Sequence, residues 1–535
     1  MNYDPLYHPY PSRRSLVYGT RGMVATSQPL AAQAGLDMLK KGGNAVDAAI
    51  ATAACLTVVE PSGNGIGSDA FAIVHINGQM YGLNSTGTAP QSMTIEALKK
   101  AGHDKIPLYG ILPVTVPGAP AAWVELSKRF GKLPFSQLLE PAIEYAEKGF
   151  AVSPVISRLW KAAFTLYRSQ NSPVFDSWFD TFAPEGKPVT AGELWRSPGH
   201  AATLRSIAET EGRSFYGGVL AEKIETFAKQ HGGFLTAADL AAFKPEWVTP
   251  LKADYRGYEV WELPPNGQGI IALMALNILK GFDFSGGVSV RNYHRQIEAM
   301  KLAFADGLEH ITDPRMMKRN PEELLSPAYA DERRKQIGEL AQSVKPWRPH
   351  NGGTVYMATA DAEGNMVSFI QSSFHGFGSG SVVPGTGISL QNRGATFSMD
   401  PQHVNCLIPG KRTYHTIIPG FLTKNGQPVG PFGIMGGYIQ PQAHVQVIMN
   451  ALDYELNPQA ALDAPRWQWL EGNRIEVEYS FPEYIAEALV RKGHQVVRSA
   501  VGATTYGRGQ IIWRNEHGSL TGATEPRTDG TVAVW

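Results

Sequence analysis

The apolar positions of the first eighty residues change period twice. Residues 22–75 read as strand, helix, helix, strand. Residues 31–41 carry an amphipathic helical pattern that stops at Gly42-Gly43, a glycine signal for a helix C-terminus. Residues 44–56 are small and apolar almost throughout, so the helix they predict must pack closely on its neighbours. A glycine-rich loop, 60–68, leads into a β-prone run at 71–76. From about 119 to 345 the pattern is mainly helical, as in 120–130, 141–148 and 293–308. Beyond 354 strands dominate, interrupted by one helical pattern at 438–451.

The sharpest local prediction is a hairpin. Gly352-Gly353 lead into Thr354 and a β-prone run ending at Ala360. Asp361-Ala362-Glu363-Gly364-Asn365 supplies a turn, and Met366 to Gln371 a second run. A turn centred on Glu363 sets Ala360 opposite Met366 and, counting outward, Thr354 opposite Ser372. Directly opposed residues have Cβ atoms about 5 Å apart. As pattern alone this is an ordinary hairpin with polar ends. As chemistry it places two hydroxyls side by side, just after a flexible glycine pair.

Composition narrows the classes. A chain of 535 residues is ample for a large core, and length alone suggests two to four domains. Lys+Arg and Asp+Glu are both 48, so the net charge is zero, which argues against a general nucleic-acid or acidic-membrane surface. No run approaches the length of a membrane span. Residues 1–14 lack the apolar stretch of a secretion signal, and none follows Arg13-Arg14. The expectation is a soluble, cytoplasmic protein. Cys55 and Cys406 form no CxxC or CxH pair and are expected as two buried free thiols. The His, Asp and Glu residues of the middle third, Asp306 and Asp313 among them, lack metal spacing and are expected on helix surfaces.

Three glycine-rich stretches invite a phosphate reading. Loop 60–68 has no Gly-Lys-Ser/Thr ending and precedes a strand. Gly376 to Ser381 lacks a preceding parallel strand and a following helix. Gly433-Ile434-Met435-Gly436-Gly437 does open a helical pattern. Adjacent glycines there are either a plain tight turn or a pair of exposed backbone N–H groups suited to an oxyanion.

Together the motifs resemble the γ-glutamyltransferase family of N-terminal-nucleophile hydrolases, essentially end to end. They include Gly42-Gly43-Asn44-Ala45-Val46-Asp47-Ala48-Ala49, Val116-Pro117-Gly118, Phe215-Tyr216-Gly217-Gly218, Phe377-Gly378-Ser379-Gly380, Pro409-Gly410-Lys411-Arg412 and Glu525-Pro526-Arg527-Thr528-Asp529-Gly530. The resemblance implies a four-layer αββα fold of the α/β (α+β) class, made as one precursor that cuts itself before Thr354. Residues 1–353 would be the large subunit and 354–535 the small one, intertwined as one domain. Thr354 would be the nucleophile, and its freed α-amine, with a pKa of ~8, the base. Ser372 would orient the Thr354 hydroxyl, and the Gly436 and Gly437 N–H groups would hold the oxyanion. No metal or organic cofactor is implied. The implied partners are a small-molecule amide and the two cleavage products as a heterodimer, or a dimer of these, with no nucleic acid and no membrane.

The chain also departs from the family. The Arg-Glu-x-Ala-Pro segment whose arginine clamps a substrate α-carboxylate is Thr86-Gly87-Thr88-Ala89-Pro90 here. Thr396 stands where an acidic residue is expected to hold the α-amine, Phe374 where an asparagine is expected, and His415-Thr416 in place of a Ser-Ser pair. In exchange, Arg393 appears in what should be a site-lining strand. The candidate binding residues are therefore Arg393, His415, Thr416 and Thr396. Arg393 and His415 would take a carboxylate that has no neighbouring ammonium. The implied activity is cleavage of a γ-glutamyl or related carboxylate-bearing amide. The alternative is an oxamate amidohydrolase or cephalosporin-acylase type with little glutathione activity. A further alternative is an unprocessed homologue with a binding role, against which the intact Thr354, Ser372, Gly436 and Gly437 argue. A serine hydrolase has no GxSxG elbow to rest on.

Overall fold

The computed structural model describes residues 9–11, 14–344 and 352–535. The reading made of residues 1–14 falls largely outside the described residues. Two sheets organise the rest. In chain order their strands are β1 (Val17–Gly19), β2 (Gly22–Thr26), β3 (Asp69–Ile76), β4 (Gln79–Ser85), β5 (Glu246–Val248), β6 (Leu251–Tyr255), β7 (Tyr258–Glu262), β8 (Gly353–Asp361), β9 (Met366–Phe374), β10 (Gly420–Lys424), β11 (Gln427–Met435), β12 (Arg508–Arg514), β13 (Leu520–Thr524) and β14 (Thr531–Val534). One seven-stranded sheet runs β14-β2-β8-β9-β3-β4-β5 and the other β1-β13-β12-β11-β10-β7-β6. Neighbouring strands in both are antiparallel.

Side chains alternate across each strand, and the alternation makes the layers. Tyr356, Ala358, Ala360, Ile370, Phe71 and Ile73 point at the opposite sheet and meet Phe421, Met435 and Ile512 there. Their neighbours Val355, Met357, Val367 and Phe369 point the other way, onto helices. Helices α1 (Pro29–Lys40) and α2 (Ala45–Val59) cover that face. Helices α3 (Gly269–Leu279), α4 (Val290–His310) and α5 (Ile439–Leu452) cover the second sheet. The result is the expected four-layer αββα sandwich. Helix α2 is buried along its whole length, which explains its small residues. Asn44 caps it, and Asn44 and Asp47 form a reciprocal capping box. Gly35 of α1 lies so close that a Cβ there would meet Thr52 Oγ1 at 2.3 Å.

The hairpin forms as predicted, with Ala360 opposite Met366 and Val355 opposite Gln371. Asp361 Oδ1 holds its turn by accepting from the Glu363 and Asn365 N–H groups. The register then shifts, so that Gly353 pairs with Phe374. Both sheets contain strands from before and from after residue 353.

Several expectations are corrected. The middle third is mainly helical, as expected, but β5, β6 and β7 also lie in it and complete the sheet edges. Pro141 sits inside a helix, Phe135–Lys148, instead of opening one. Both cysteines are free, but only Cys55 is fully buried. Asp306 and Asp313 are buried: Asp306 pairs with Arg333 at 2.8 Å and Asp313 accepts from the Arg412 N–H at 2.9 Å. Among the described residues no helix is long and apolar enough to cross a membrane.

Candidate functional site

The register shift falls at Thr354. A bulge next to a strand end re-aims side chains. Here it brings Thr354 Oγ1 to 3.0 Å from Ser372 Oγ. Ser372 donates its proton to the Gly353 carbonyl at 2.8 Å. That proton is then spent, so the Thr354 hydroxyl is the donor of the pair. Ser372 Oγ also accepts from the Phe374 N–H at 2.8 Å. Phe374 takes a φ of +73°, which turns the chain away after the hydroxyl. Thr354 and Ser372 are both fully buried.

The glycine pair before Thr354 is required by close approach. A Cβ on Gly353 would stand 2.9 Å from the Ser62 carbonyl oxygen. A Cβ on Gly352 would stand 3.0 Å from Gly437 Cα and 3.2 Å from Gly437 N. Gly352 therefore lies against the turn that opens α5. Gly436 and Gly437 have φ of +141° and +75°, conformations that favour glycine. Gln268 fixes this turn, its Nε2 donating to Gly437 O at 2.9 Å and to Thr416 O at 2.6 Å. Tyr414 donates to Gln268 Oε1 at 2.8 Å and so orients the amide.

Arg393 stands beside the hydroxyl pair. It opens a short 3₁₀ turn, Arg393–Thr396, rather than lying in the strand expected of it. Nη2 donates to Ser372 Oγ at 3.3 Å and Nη1 to Thr416 Oγ1 at 2.7 Å. The guanidinium stacks over the Phe374 ring, 4.3 Å from its centroid. Nε has no partner, and Arg393 forms no ion pair among the described residues. Burial pushes its pKa down to about 10, against the pull of Asp69 and Tyr438. Without a contacting carboxylate, the buried guanidinium loses hydration with only the through-space attraction of Asp69 to offset it. That deficit is what an anionic ligand removes.

His415 faces a different way from that expected. Its Nδ1 accepts from the Ile417 N–H at 3.3 Å, so Nε2 carries the proton and donates to Asp69 Oδ2 at 3.1 Å. Both ring nitrogens are taken within the protein, and burial with the nearby Arg393 keeps the imidazole neutral. Thr396 also turns inward. Its hydroxyl donates to Arg393 O at 2.7 Å and lies 2.7 Å from Thr413 Oγ1, fixing the turn that carries the arginine. The structure thus gathers Thr354, Ser372, Gly437, Arg393 and Thr416 around one point, with Gly436 adjoining. His415 and Thr396 stand behind them.

Two residues were not singled out from sequence. Asp69 begins β3, and only its place after Gly67-Ser68 could have marked it. Gln268 follows the Pro264-Pro265-Asn266-Gly267 connection, where side-chain roles leave no pattern. A second convergence also escaped the spacing argument. His294 and Glu298 of α4 meet His494, with ligand-capable atoms within 4.8 Å of one another. The Lys301 ammonium already sits on Glu298 at 2.7 Å and supplies the positive charge there.

Comparisons with known proteins identify relatives of the chain. Residues 31–535 match the family model described as Gamma-glutamyltranspeptidase. The chain is 38% identical to the glutathione hydrolase-like YwrD proenzyme of Bacillus subtilis, over 96% of this chain and 99% of that one. It is 35% identical to the oxamate amidohydrolase proenzyme of Klebsiella pneumoniae, over 96% and 98%. Its fold superposes on a cephalosporin acylase from Bacillus halodurans with a TM-score of 0.95, at 60% identity and 99% coverage of both chains.

Proposed function

The chain belongs to the gamma-glutamyltranspeptidase family of N-terminal-nucleophile hydrolases, and from that premise we propose that it cuts itself at Gly353–Thr354 and then cleaves an amide whose acyl group carries a carboxylate. The Ser372 hydroxyl, set between Gly353 O and Thr354 Oγ1 at 2.8 and 3.0 Å, carries this reading. In the uncut chain Ser372 polarises the Gly353 carbonyl. Thr354 Oγ attacks its carbon, the peptide nitrogen leaves as the Thr354 amine, and an ester joins the two residues. Water hydrolyses that ester, giving a carboxylate on Gly353 and a free Thr354. Departure of the Gly352 end uncovers Gly437.

In the cut enzyme the Thr354 amine takes the hydroxyl proton as Oγ attacks the substrate carbonyl. The Gly436 and Gly437 N–H groups receive the oxyanion, where one donor is worth about 10²-fold or more. The amine product leaves, and water or an acceptor amine resolves the acyl-Thr354 ester. Arg393 binds the acyl carboxylate as an ion pair with directed hydrogen bonds. At the position expected to hold an α-ammonium, Thr396 is neutral and turned inward. This favours oxamate- or acylase-type amides over glutathione, in line with the activities for which two of the relatives are named.

A denaturing gel tests the first step: two bands, near two thirds and one third of the chain mass, are expected. A panel of oxamate, glutaryl-amide and glutathione tests the second. Faster turnover of glutathione than of both others would reject the lost-clamp reading.

A further inference from the structure

Asp69 sits directly opposite Ser372 in the β3–β9 ladder. Opposed residues project from the same face of a sheet, so its carboxyl group shares the inter-sheet layer with the two hydroxyls. It is 1% exposed. Its hydrogen bonds come from neutral donors, His415 Nε2–H at 3.1 Å to Oδ2 and the Gly87 N–H at 3.3 Å to Oδ1. Arg393 and Arg412 act on it through space without touching it, as does Tyr216, whose hydroxyl donates to Pro117 O and accepts from the Ala121 N–H. One buried acid and one buried cation therefore flank the reaction centre unjoined. Arg393 spends its Nη groups on the Ser372 and Thr416 hydroxyls.

A substrate carboxylate arriving on Arg393 changes this balance. With Asp69 ionised, the pocket would hold two anions and one cation, buried together. With Asp69 protonated, the pocket holds one ion pair and a carboxylic acid, whose O–H is free to donate to the incoming carboxylate. Two buried carboxyl groups at close range do not both ionise.

We propose that Asp69 is a specificity-determining residue whose carboxyl group takes up one proton when a carboxylate-bearing acyl group binds at Arg393, so that preference for such substrates follows the protonated fraction of Asp69. The proton comes from solvent and returns there when the acyl acid leaves. The proposal rests on the carboxylate-binding reading of Arg393. Burial raises the Asp69 pKa to about 7, with Arg393 and the Gly87 N–H pulling the other way. The sign follows from that direction. Below pH 7 the proton is already present and binding is strong. Above it, selectivity falls up to tenfold per pH unit, because each binding event must acquire a proton.

The test uses the processed wild-type enzyme and p-nitroanilides of oxalic, succinic and glutaric acids, each beside its methyl ester. The ratio of kcat/KM for acid over ester is followed from pH 6 to 9. Division cancels the titration of the Thr354 amine, which both substrates share. The ratio is expected to be level below pH 7 and to fall about tenfold per unit above it, and to be high and level throughout in Asp69→Asn. A level wild-type ratio, or the same slope in Asp69→Asn, overturns the proposal. Arg393→Met separates the premise: if the ratio is unchanged there, the carboxylate reading itself fails. Should Asp69→Asn not fold, calorimetry of the wild type with 5-oxohexanoate, a ketone analogue, in two buffers of different ionisation enthalpy decides the matter. Uptake of about one proton at pH 8 and almost none at pH 6 is expected; no uptake at pH 8 overturns the proposal.

Discussion

At the reaction end of the site the two side-chain hydroxyls belong to one hairpin. Thr354 and Ser372 are 18 residues apart on adjacent strands, and Ser372 holds the Gly353 carbonyl from the same ladder. At the recognition end the polar groups come from distant segments. Asp69 and His415 are 346 residues apart, and Gln268 reaches Thr416 across 148. Arg393 stands on a short 3₁₀ turn braced by Thr396. Strand pairing fixes the first group to within a hydrogen bond. The second group is fixed by side chains that grip loops. The difference teaches that the nucleophile can stay in place while the acyl pocket is rebuilt around it, since few interactions cross between the two ends. Arg393 Nη2 on Ser372 is one that does.

This contrast is open to attack by substitution, the strongest first. Thr354→Ala should leave one band on a denaturing gel and lower amide turnover by at least ~10⁴-fold, the scale of losing a nucleophile. Two bands, or turnover within tenfold of wild type, would move the chemistry elsewhere. Ser372→Ala should slow both self-cleavage and turnover by ~10²–10³-fold, as for loss of a charge-developing contact, and Ser372→Thr should recover most of it. Slower turnover with normal self-cleavage would split the hairpin's two tasks. Arg393→Met should lower the acid-over-ester selectivity by ~10²-fold, about the worth of a buried charged hydrogen-bonding pair. If self-cleavage collapsed equally, the two ends would not be separable. Gln268→Ala should cost ~10-fold in kcat with a smaller change in KM, because it frees the Gly437 turn rather than touching the acyl group. A change in KM alone would assign Gln268 to recognition.

The same contrast explains what could be read from sequence. The hairpin was legible because alternation and turn chemistry are local, and one count along two strands puts Thr354 beside Ser372. The four layers came from the family resemblance, while the small residues of α2 indicated only a closely packed helix. The bulge at Thr354 was not legible, because it depends on Ser62 and Gly376 pressing on the glycine pair. Arg393 was found by residue type, but its 3₁₀ setting and the inward turn of Thr396 depend on Thr413 and Tyr414. Asp69 and Gln268 escaped, since an isolated Asp or Gln carries no spacing signal until the chain is folded. Strand β5 was hidden for a related reason, since its partner β4 lies far along the chain, whereas β6 and β7 form a local hairpin that the helical reading passed over.

That each sheet is built from strands of both prospective fragments bears on recovery after unfolding. The uncut chain regains its sandwich by a first-order search, with every strand tethered to every other. Once severed, the same sandwich is reached only when two separate polypeptides collide and interdigitate, a second-order event in competition with aggregation of their bared strand edges. Renaturation yield should therefore climb with dilution for Thr354→Ala, which is spared the collision requirement. For the severed protein it should pass through an optimum of concentration and then collapse.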